Sequence, residues 1–239
     1  MSAFLKDLSR FYGTGERDRA GQTLEEFLEG YDPYKYRTPS CTADAVIFSG
    51  REPLTKELTG MKILLVKRSN HPSIGFWALP GGFVDMEENL EESAKRELLE
   101  ETGIGDLAME QIATYGNYDR DPRTRVITTA YMALVQGEEL EACAGDDAAD
   151  AVWCGLTLEK IKSEKKLQPA GQQETETVTY RLAVKNPDKN LDTCAIVERK
   201  RHLGLIREES FEVKECGMIA VDHAAIIVQA LTILQERCS

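Results

Sequence analysis

Apolar runs along the chain predict strands on both sides of one central helix. β-branched and aromatic residues gather in short runs that glycine, proline and charged residues interrupt, a pattern typical of strands. The run at 125–136 is apolar almost throughout, which indicates a strand buried on both faces. The predicted strands are residues 41–49, 61–67, 111–118, 125–136 and 151–154.

The central segment, residues 89–102, has the spacing of an amphipathic helix. It contains no proline or glycine, and Gly103 follows it at a place where glycine commonly ends a helix. Apolar residues recur at every fourth position and form one face that can pack on a sheet. Those residues are Leu90, Ala94 and Leu98.

The two ends of the chain extend this core. Residues 1–31 contain apolar clusters and a Thr-Leu-Glu-Glu sequence with capping-box spacing, which predicts an N-terminal helical extension. Residues 32–239 are then the main domain, with an amphipathic helix at 222–237 that Asp222 is expected to cap. Between about 156 and 218, a polar stretch precedes two β-like runs joined by a turn, which predicts an inserted β-hairpin or small subdomain.

The central helix carries acidic residues at one end. Glu97 and Glu101 are one turn apart and Glu100 lies beside them, so three carboxylates project from the same end of the helix. Like charges at this spacing repel each other, and a bound cation would offset the repulsion. Oxygen-only ligands select a hard ion such as Mg²⁺ or Mn²⁺. Taken alone, the same residues are also compatible with a solvated acidic face.

The segment in front of the helix favours the metal interpretation. Leu79-Pro80-Gly81-Gly82 supplies two glycines, at which a backbone can approach a ligand closely or adopt a positive φ angle. A glycine-rich loop that leads into a helix start suits phosphate oxygens, and more so beside a bound metal. Loop and helix together therefore indicate a site for a phosphate-bearing ligand.

Residues 82–104 resemble the signature of the Nudix hydrolases at every specified position. The matching residues are Gly82, Glu88, Arg96, Glu97, Leu98, Glu100, Glu101, Gly103 and Ile104. The resemblance implies the Nudix fold, an α/β/α sandwich with a mixed sheet between helices. It also implies hydrolysis of a nucleoside diphosphate linked to another group, with Mg²⁺ or Mn²⁺ as cofactor and a nucleotide-type small molecule as substrate. Relatives of this kind lead us to expect a homodimer.

The resemblance assigns roles to residues by their position in the motif. Glu97 and Glu101 would be the main metal ligands, Glu88 would lie near the metal or its waters, and Arg96 would orient a glutamate by ion pairing. The implied metal site consists of Gly81 (through its carbonyl oxygen), Glu88, Glu97, Glu100 and Glu101. The implied catalytic residues are Arg96, Glu97, Glu100 and Asp147, the last from the acidic loop at 137–150. Which carboxylate acts as general base stays open.

Arginines near the motif are candidates for substrate binding. Residues 118–125 are similar to an Arg-Asp-Pro-Arg element of many bacterial ADP-ribose pyrophosphatase-like Nudix proteins, and they place Arg120 and Arg123 close together. Arginine suits bidentate contact with phosphate or stacking on adenine, although a charged hairpin tip is the simpler alternative. Arg68, at a strand end, and Gly82 complete the predicted substrate contacts. The resemblance favours ADP-ribose as substrate, with AMP and ribose 5-phosphate as products.

Composition and charge argue against a membrane protein, a DNA-binding protein and a structural zinc protein. No apolar run reaches the roughly 18 residues of a membrane span, and the N-terminus lacks the apolar core of a signal peptide, so we expect a cytoplasmic protein without a membrane partner. The formal charge is −12, and the acidic excess lies in residues 1–159. A net acidic chain does not attract DNA over long range, which disfavours nucleic acid as a partner. Cysteine and histidine residues are scattered without metal-site spacing, which argues against structural zinc.

Other functions stay open from the sequence. Within the same reaction class, the substrate could be NADH, another nucleotide sugar or a dinucleoside polyphosphate. A different class is a ligand-sensing transcription regulator, because some relatives couple a Nudix-like domain to a DNA-binding winged helix. An inactive fold used for protein interaction is the third alternative, and the complete set of acidic residues in the motif argues against it.

Overall fold

The structure consists of two units, Met1–Pro39 and Ser40–Ser239. It is a computed structural model that describes residues 4–51, 53–137, 139–143, 148–167, 174–204, 206 and 208–238. The first unit contains a 3₁₀ turn at Ser9–Phe11 and helix α1 at Leu24–Gly30. Thr23 caps α1 with a complete capping box, in which the Thr23 N–H donates to the Glu26 carboxylate and the Glu26 N–H donates to the Thr23 hydroxyl.

A mixed ten-stranded sheet runs through the second unit. In sheet order the strands are β10, β9, β8, β7, β2, β1, β6 and β5, while β3 pairs with β2 and β4 pairs with β1. β1 and β6 are parallel, and the other pairs are antiparallel. The strands are β1 Ser40–Gly50, β2 Lys62–Arg68, β3 Trp77–Ala78, β4 Gly81–Phe83, β5 Glu110–Tyr115, β6 Val126–Gln136, β7 Ala148–Leu167, β8 Glu174–Asn186, β9 Leu191–Leu203 and β10 Glu209–Glu215.

Two helices cover opposite faces of the sheet, α2 at Leu90–Thr102 and α3 at His223–Arg237. Successive residues of a strand point to opposite faces, and β1 shows this alternation. Ala45 and Ile47 pack in one cluster with Leu98 of α2, whereas Val46 and Phe48 pack in another that includes the apolar face of α3. The expected α/β/α sandwich with a mixed sheet is confirmed.

Both helices differ in detail from the prediction. The α2 face that packs on the sheet includes Ala94 and Leu98, but Leu90 is exposed because it lies in the first turn, beyond the edge of the buried face. The predicted core residues of α3 are buried, namely Ile226, Ile227, Ala230, Leu231 and Leu234. Asp222 precedes α3 as predicted, yet its side chain makes no capping hydrogen bond within the described residues and binds an arginine instead.

Residues beyond the central strands continue the same sheet as a meander of long strands. β7 extends through the polar stretch that the sequence did not indicate as a strand, and it pairs with β8 from Gly155 to Leu167. The two predicted β-like runs are β8 and β9, joined by a turn at Pro187–Lys189. The end of β7 is rich in exposed lysine and glutamate, since an antiparallel sheet can leave one face in water. In the part of the chain that the structure describes, no helix is long and apolar enough to cross a bilayer.

Candidate active site

A cleft of about 460 Å³ gathers most of the predicted site residues. It is walled by β1, the glycine loop that leads into β4, the acidic end of α2 and the segment between β5 and β6. The predicted residues that line it are Arg68, Gly81, Gly82, Arg96, Glu97, Glu101, Arg120 and Arg123. Of the predicted residues that the structure describes, Glu88 and Glu100 lie outside the lining. Asp147 belongs to residues 144–147, which are not among those described.

The glycine loop lies against carboxylates on both sides. β4 pairs with β1 so that Gly81 is opposite Asp44. A Cβ atom on Gly81 would lie 2.5 Å from Oδ1 of Asp44, and a Cβ atom on Gly82 would lie 2.4 Å from the carboxylate of Glu97. Close approach, rather than a positive φ angle, therefore explains why both positions need glycine.

Arg96 binds two acidic residues of α2 and one that precedes the helix. Its guanidinium donates two hydrogen bonds of 3.0 Å to Glu88, one of 2.7 Å to Glu97 and one of 3.1 Å to Glu100. A further bond of 3.1 Å reaches the carbonyl oxygen of Phe83 in β4. Hydrogen bonds from Arg96, and then from the neighbouring Ser93, lower the pKa of Glu88 to about 2. One guanidinium thus links these three carboxylates to β4, the strand that contains the two glycines.

Two carboxylates of the cleft hold protons more tightly than usual. Burial raises the pKa of Glu101 to about 7, and the nearby charges of Glu97 and Asp44 act in the same direction. The N–H of Gly81 donates a hydrogen bond of 2.9 Å to Glu101 and only partly offsets this effect. Burial also raises the pKa of Glu97, against the influence of Arg96. Buried like charges of this kind are stabilised by a cation.

The chemistry of these donors fits a hard divalent ion. All are oxygen atoms, as Mg²⁺ and Mn²⁺ prefer, and Glu97 and Glu101 would hold the ion on the helix side of the cleft. Across the described residues, no three His, Cys, Asp or Glu side chains are drawn together at metal-ligating distance. Arg96 holds Glu97 and Glu100 through ion pairs, and the side chain of Glu100 is 58% exposed. The residues supply the right ligand chemistry, but they are not gathered into a closed metal cage.

The predicted arginines differ in how they are held. Arg120 donates two hydrogen bonds of 2.9 Å to Asp222, and its side chain is only 8% exposed. Arg123 makes a similar bidentate pair with Asp121 but stays 46% exposed. Arg68 lines the cleft while its Nε atom donates to the carbonyl oxygen of Pro72. The ion pair with Asp222 occupies the two N–H groups of Arg120 that would otherwise make a bidentate contact with a phosphate.

Several residues of the site were not identified from the sequence. Asp44 is buried in β1, lines the cleft and accepts a hydrogen bond of 2.6 Å from Thr128. A charged residue within an apolar strand was the signal that could have revealed it. His223 lines the cleft and accepts a hydrogen bond of 2.8 Å from the N–H of Leu79. Trp77 packs in the core rather than in the cleft.

Comparisons with known proteins agree with this architecture. A model of the NUDIX domain matches residues 42–177. A crystal structure of a MutT/nudix family protein from Enterococcus faecalis superimposes with a TM-score of 0.60 and 30% identity, covering 90% of this chain and 70% of that one.

Two curated relatives match shorter stretches. The ADPR responsive transcriptional repressor NtrR of Acinetobacter baylyi is 44% identical over 113 residues, which are 46% of this chain and 43% of the relative. The ADP-ribose pyrophosphatase of Methanocaldococcus jannaschii is 48% identical over 95 residues, which are 40% of this chain and 55% of the relative. The chain thus spans about half the length of these two relatives. Because the domain match covers more than half of the chain and the fold is shared, this protein belongs to the Nudix family.

Proposed function

We propose that this chain is a metal-dependent pyrophosphohydrolase that cleaves ADP-ribose to AMP and ribose 5-phosphate, with Mg²⁺ or Mn²⁺ as cofactor. The observation that carries the proposal is the position of Glu97 and Glu101, two partly buried carboxylates beside the glycine loop in one cleft. Carboxylates that face a phosphate-binding loop need a cation between the two anionic partners. That requirement is the chemistry of metal-assisted phosphoanhydride hydrolysis.

The proposal assigns roles to the acidic residues, Arg96 and the two glycines of the cleft. Glu97 and Glu101 hold the metal, and Arg96 fixes the rotamer of Glu97 through their ion pair. The absence of side chains at Gly81 and Gly82 lets the carboxylates of Asp44 and Glu97 lie directly against the backbone of the glycine loop. When bound, the metal neutralises developing phosphate charge and makes a bound water easier to deprotonate. Glu100 and Asp147 are the proposed candidates for the general base, and the exposure of Glu100 leaves it accessible to solvent water.

The names of two relatives support ADP-ribose as the substrate. One is an ADP-ribose pyrophosphatase, and the other is a repressor that responds to ADPR. The two relatives align with less than half of this chain, and the assay therefore compares ADP-ribose with other substrates of the same reaction class. Cytoplasmic location and a homodimer are further expectations, the second of which light scattering would test.

A substrate panel tests the reaction and the substrate together. Purified protein is incubated with ADP-ribose, NADH, nucleotide sugars or dinucleoside polyphosphates, each with Mg²⁺, Mn²⁺ or chelator, and the released monophosphates are quantified. We expect metal-dependent cleavage with ADP-ribose as the best substrate. Preference for another member of the panel would correct the substrate, while no cleavage of any member would contradict the enzymatic proposal.

A second candidate function is an ADP-ribose-responsive regulator of transcription. The observation in its favour is the relative named as a transcriptional repressor, to which 113 residues align. A gel-shift assay with genomic fragments, run with and without ADP-ribose, tests it. Sequence-specific binding that ADP-ribose weakens would support this function, and binding that is lost at moderate salt irrespective of sequence would count against it.

A further inference from the structure

We infer that Phe83 and Arg123 form a stacking shelf for the nucleobase of the ligand, at the edge of the cleft. The name stacking shelf here means the ring of Phe83 together with the guanidinium of Arg123. The inference rests on the proposed function in one respect, that the ligand is a nucleotide. It goes further in assigning the base, rather than the phosphates, to these two side chains.

The two side chains are already in cation–π contact. The Cζ atom of Arg123 lies 5.2 Å from the centroid of the Phe83 ring. Both residues line the cleft, and both are about half exposed, Phe83 by 45% and the Arg123 side chain by 46%. A guanidinium over an aromatic ring is a flat, polarisable surface. Nucleobases bind such surfaces because every base has a π-face.

The ion pair with Asp121 makes Arg123 better suited to contact a nucleobase than a phosphate. Its carboxylate accepts hydrogen bonds of 3.0 Å and 2.8 Å from Nε and Nη2 of Arg123, and its side chain is largely buried. The same carboxylate also accepts the backbone N–H of Arg123 at 2.9 Å. These bonds occupy the guanidinium fork and offset its charge, which disfavours bidentate phosphate contact. They also fix the plane of the guanidinium, and a fixed plane favours stacking.

The backbone places the stacking shelf next to the phosphate loop. Phe83 directly follows Gly82, whose Cα lies against the carboxylate of Glu97. Arg96 donates hydrogen bonds both to the carbonyl oxygen of Phe83, at 3.1 Å, and to Glu97, at 2.7 Å. One rigid group therefore sets the separation between the stacking shelf and the proposed metal ligands. A single nucleotide can contact both, with its base on the shelf and its phosphate at the glycine loop.

Calorimetric titration of the full chain in Mg²⁺ with AMP and with ribose 5-phosphate tests the inference. The two ligands share a sugar phosphate, and only AMP has a base. We expect Phe83→Ala and Arg123→Lys each to weaken AMP binding by about tenfold, since base stacking on a protein side chain contributes on this scale. Ribose 5-phosphate affinity should not change, and Phe83→Trp should retain AMP affinity because it keeps an aromatic ring.

Tyr118→Ala is the matched control. Tyr118 is 83% exposed and lies in the same segment as Arg123, outside the lining of the cleft, so its removal should leave both affinities unchanged. Wild-type binding of AMP that Phe83→Ala does not weaken would overturn the inference, as would an equal loss for both ligands. Failure of the wild type to bind AMP would overturn it as well.

The stacking shelf and the proposed function can fail separately. AMP binding that depends on Phe83, without hydrolysis of ADP-ribose, would support the shelf and contradict the enzymatic proposal. Metal-dependent hydrolysis with an unchanged KM for ADP-ribose in Phe83→Ala would support the enzyme and overturn the shelf. Binding and turnover therefore report on the two proposals independently.

Discussion

Replacing Glu101 by glutamine should stabilise the metal-free protein at alkaline pH while it removes a proposed metal ligand. Glu101 is held beside Glu97 and Asp44 in a buried position, and its pKa is raised from 4.5 to about 7. An ionised carboxylate in that position destabilises the fold, because it loses water and faces like charges. Glutamine has nearly the same shape, and its carbonyl oxygen can still accept the N–H of Gly81.

The shift in the pKa of Glu101 sets the size and the sign of the stability difference between the variant and the wild type. A rise from 4.5 to about 7 corresponds to about 3 kcal/mol at 25 °C. The folded state binds this proton more tightly than the unfolded state, so the stabilisation is complete below pH 4.5 and is lost as the pH rises through about 7. Glu101→Gln carries no charge at any pH and lacks this loss. The variant should therefore match the wild type near pH 4 and exceed its stability by about 3 kcal/mol near pH 8.5.

Urea denaturation in chelator at several pH values measures this difference. Glu100→Gln is the control, since Glu100 is exposed on the same turn of α2 and should leave the pH dependence of stability close to that of the wild type. Adding Mg²⁺ at about a hundred times its Kd should then stabilise the wild type by about 2.7 kcal/mol and Glu101→Gln much less. At high pH the metal thus removes most of the stability difference between the wild type and Glu101→Gln.

Two results would refute this reasoning. If Glu101→Gln in chelator were less stable than the wild type at high pH, burial would not be penalising the Glu101 carboxylate. If its stability changed with pH as steeply as that of the wild type, another group would be responsible for the slope. Equal stabilisation of both proteins by Mg²⁺ would remove Glu101 from the proposed metal site.

Three further substitutions test other contacts of the cleft. Glu97→Gln should lower kcat by about a hundredfold or more in the ADP-ribose assay without loss of the fold, because it removes a charged metal ligand. Gly82→Ala should lower kcat by about a hundredfold, measured in the same assay with circular dichroism as the folding control, since its Cβ would displace the Glu97 carboxylate, 2.4 Å away. Asp222→Ala should cost about 3 kcal/mol in urea denaturation by leaving Arg120 buried without its partner, and removal of both side chains should recover part of that loss.

The acidic face of the site could be predicted because it arises from local sequence. Glu97 and Glu101 are four residues apart in one helix, so helical periodicity alone places them on one side. The two glycines are close by in sequence, and they are the first two residues of β4. The strands and α3 followed from equally strong apolar periods, whereas the layered arrangement was implied by the resemblance to the Nudix hydrolases. Nothing in these inferences needed contacts between distant parts of the chain.

The remaining contacts could not be predicted because they join residues far apart in sequence. Arg120 was expected at phosphate and Asp222 at a helix cap, and each expectation was reasonable for the residue taken alone. In the fold, Arg120 donates two hydrogen bonds to Asp222. Because of this ion pair, Asp222 does not cap α3, and the guanidinium edge of Arg120 is not available to a phosphate. The length of β7 was missed for another reason: its lysine- and glutamate-rich half lacks apolar alternation, and pairing with β8 along its length makes it a strand.

Asp222, which precedes α3, and His223, its first residue, connect two walls of the cleft that the central motif does not contain. Asp222 holds Arg120, in the segment between β5 and β6, and His223 accepts the N–H of Leu79, just before the glycine loop. The cleft therefore reaches its geometry only when α3 is docked on the sheet. Because α3 is buried along its apolar face, undocking it costs free energy close to that of global unfolding. The meander of β7 to β10 adds strands at one side of the sheet, and the chain then continues into α3. The added strands therefore leave the site intact, because α3 still reaches the position from which it holds both walls of the cleft.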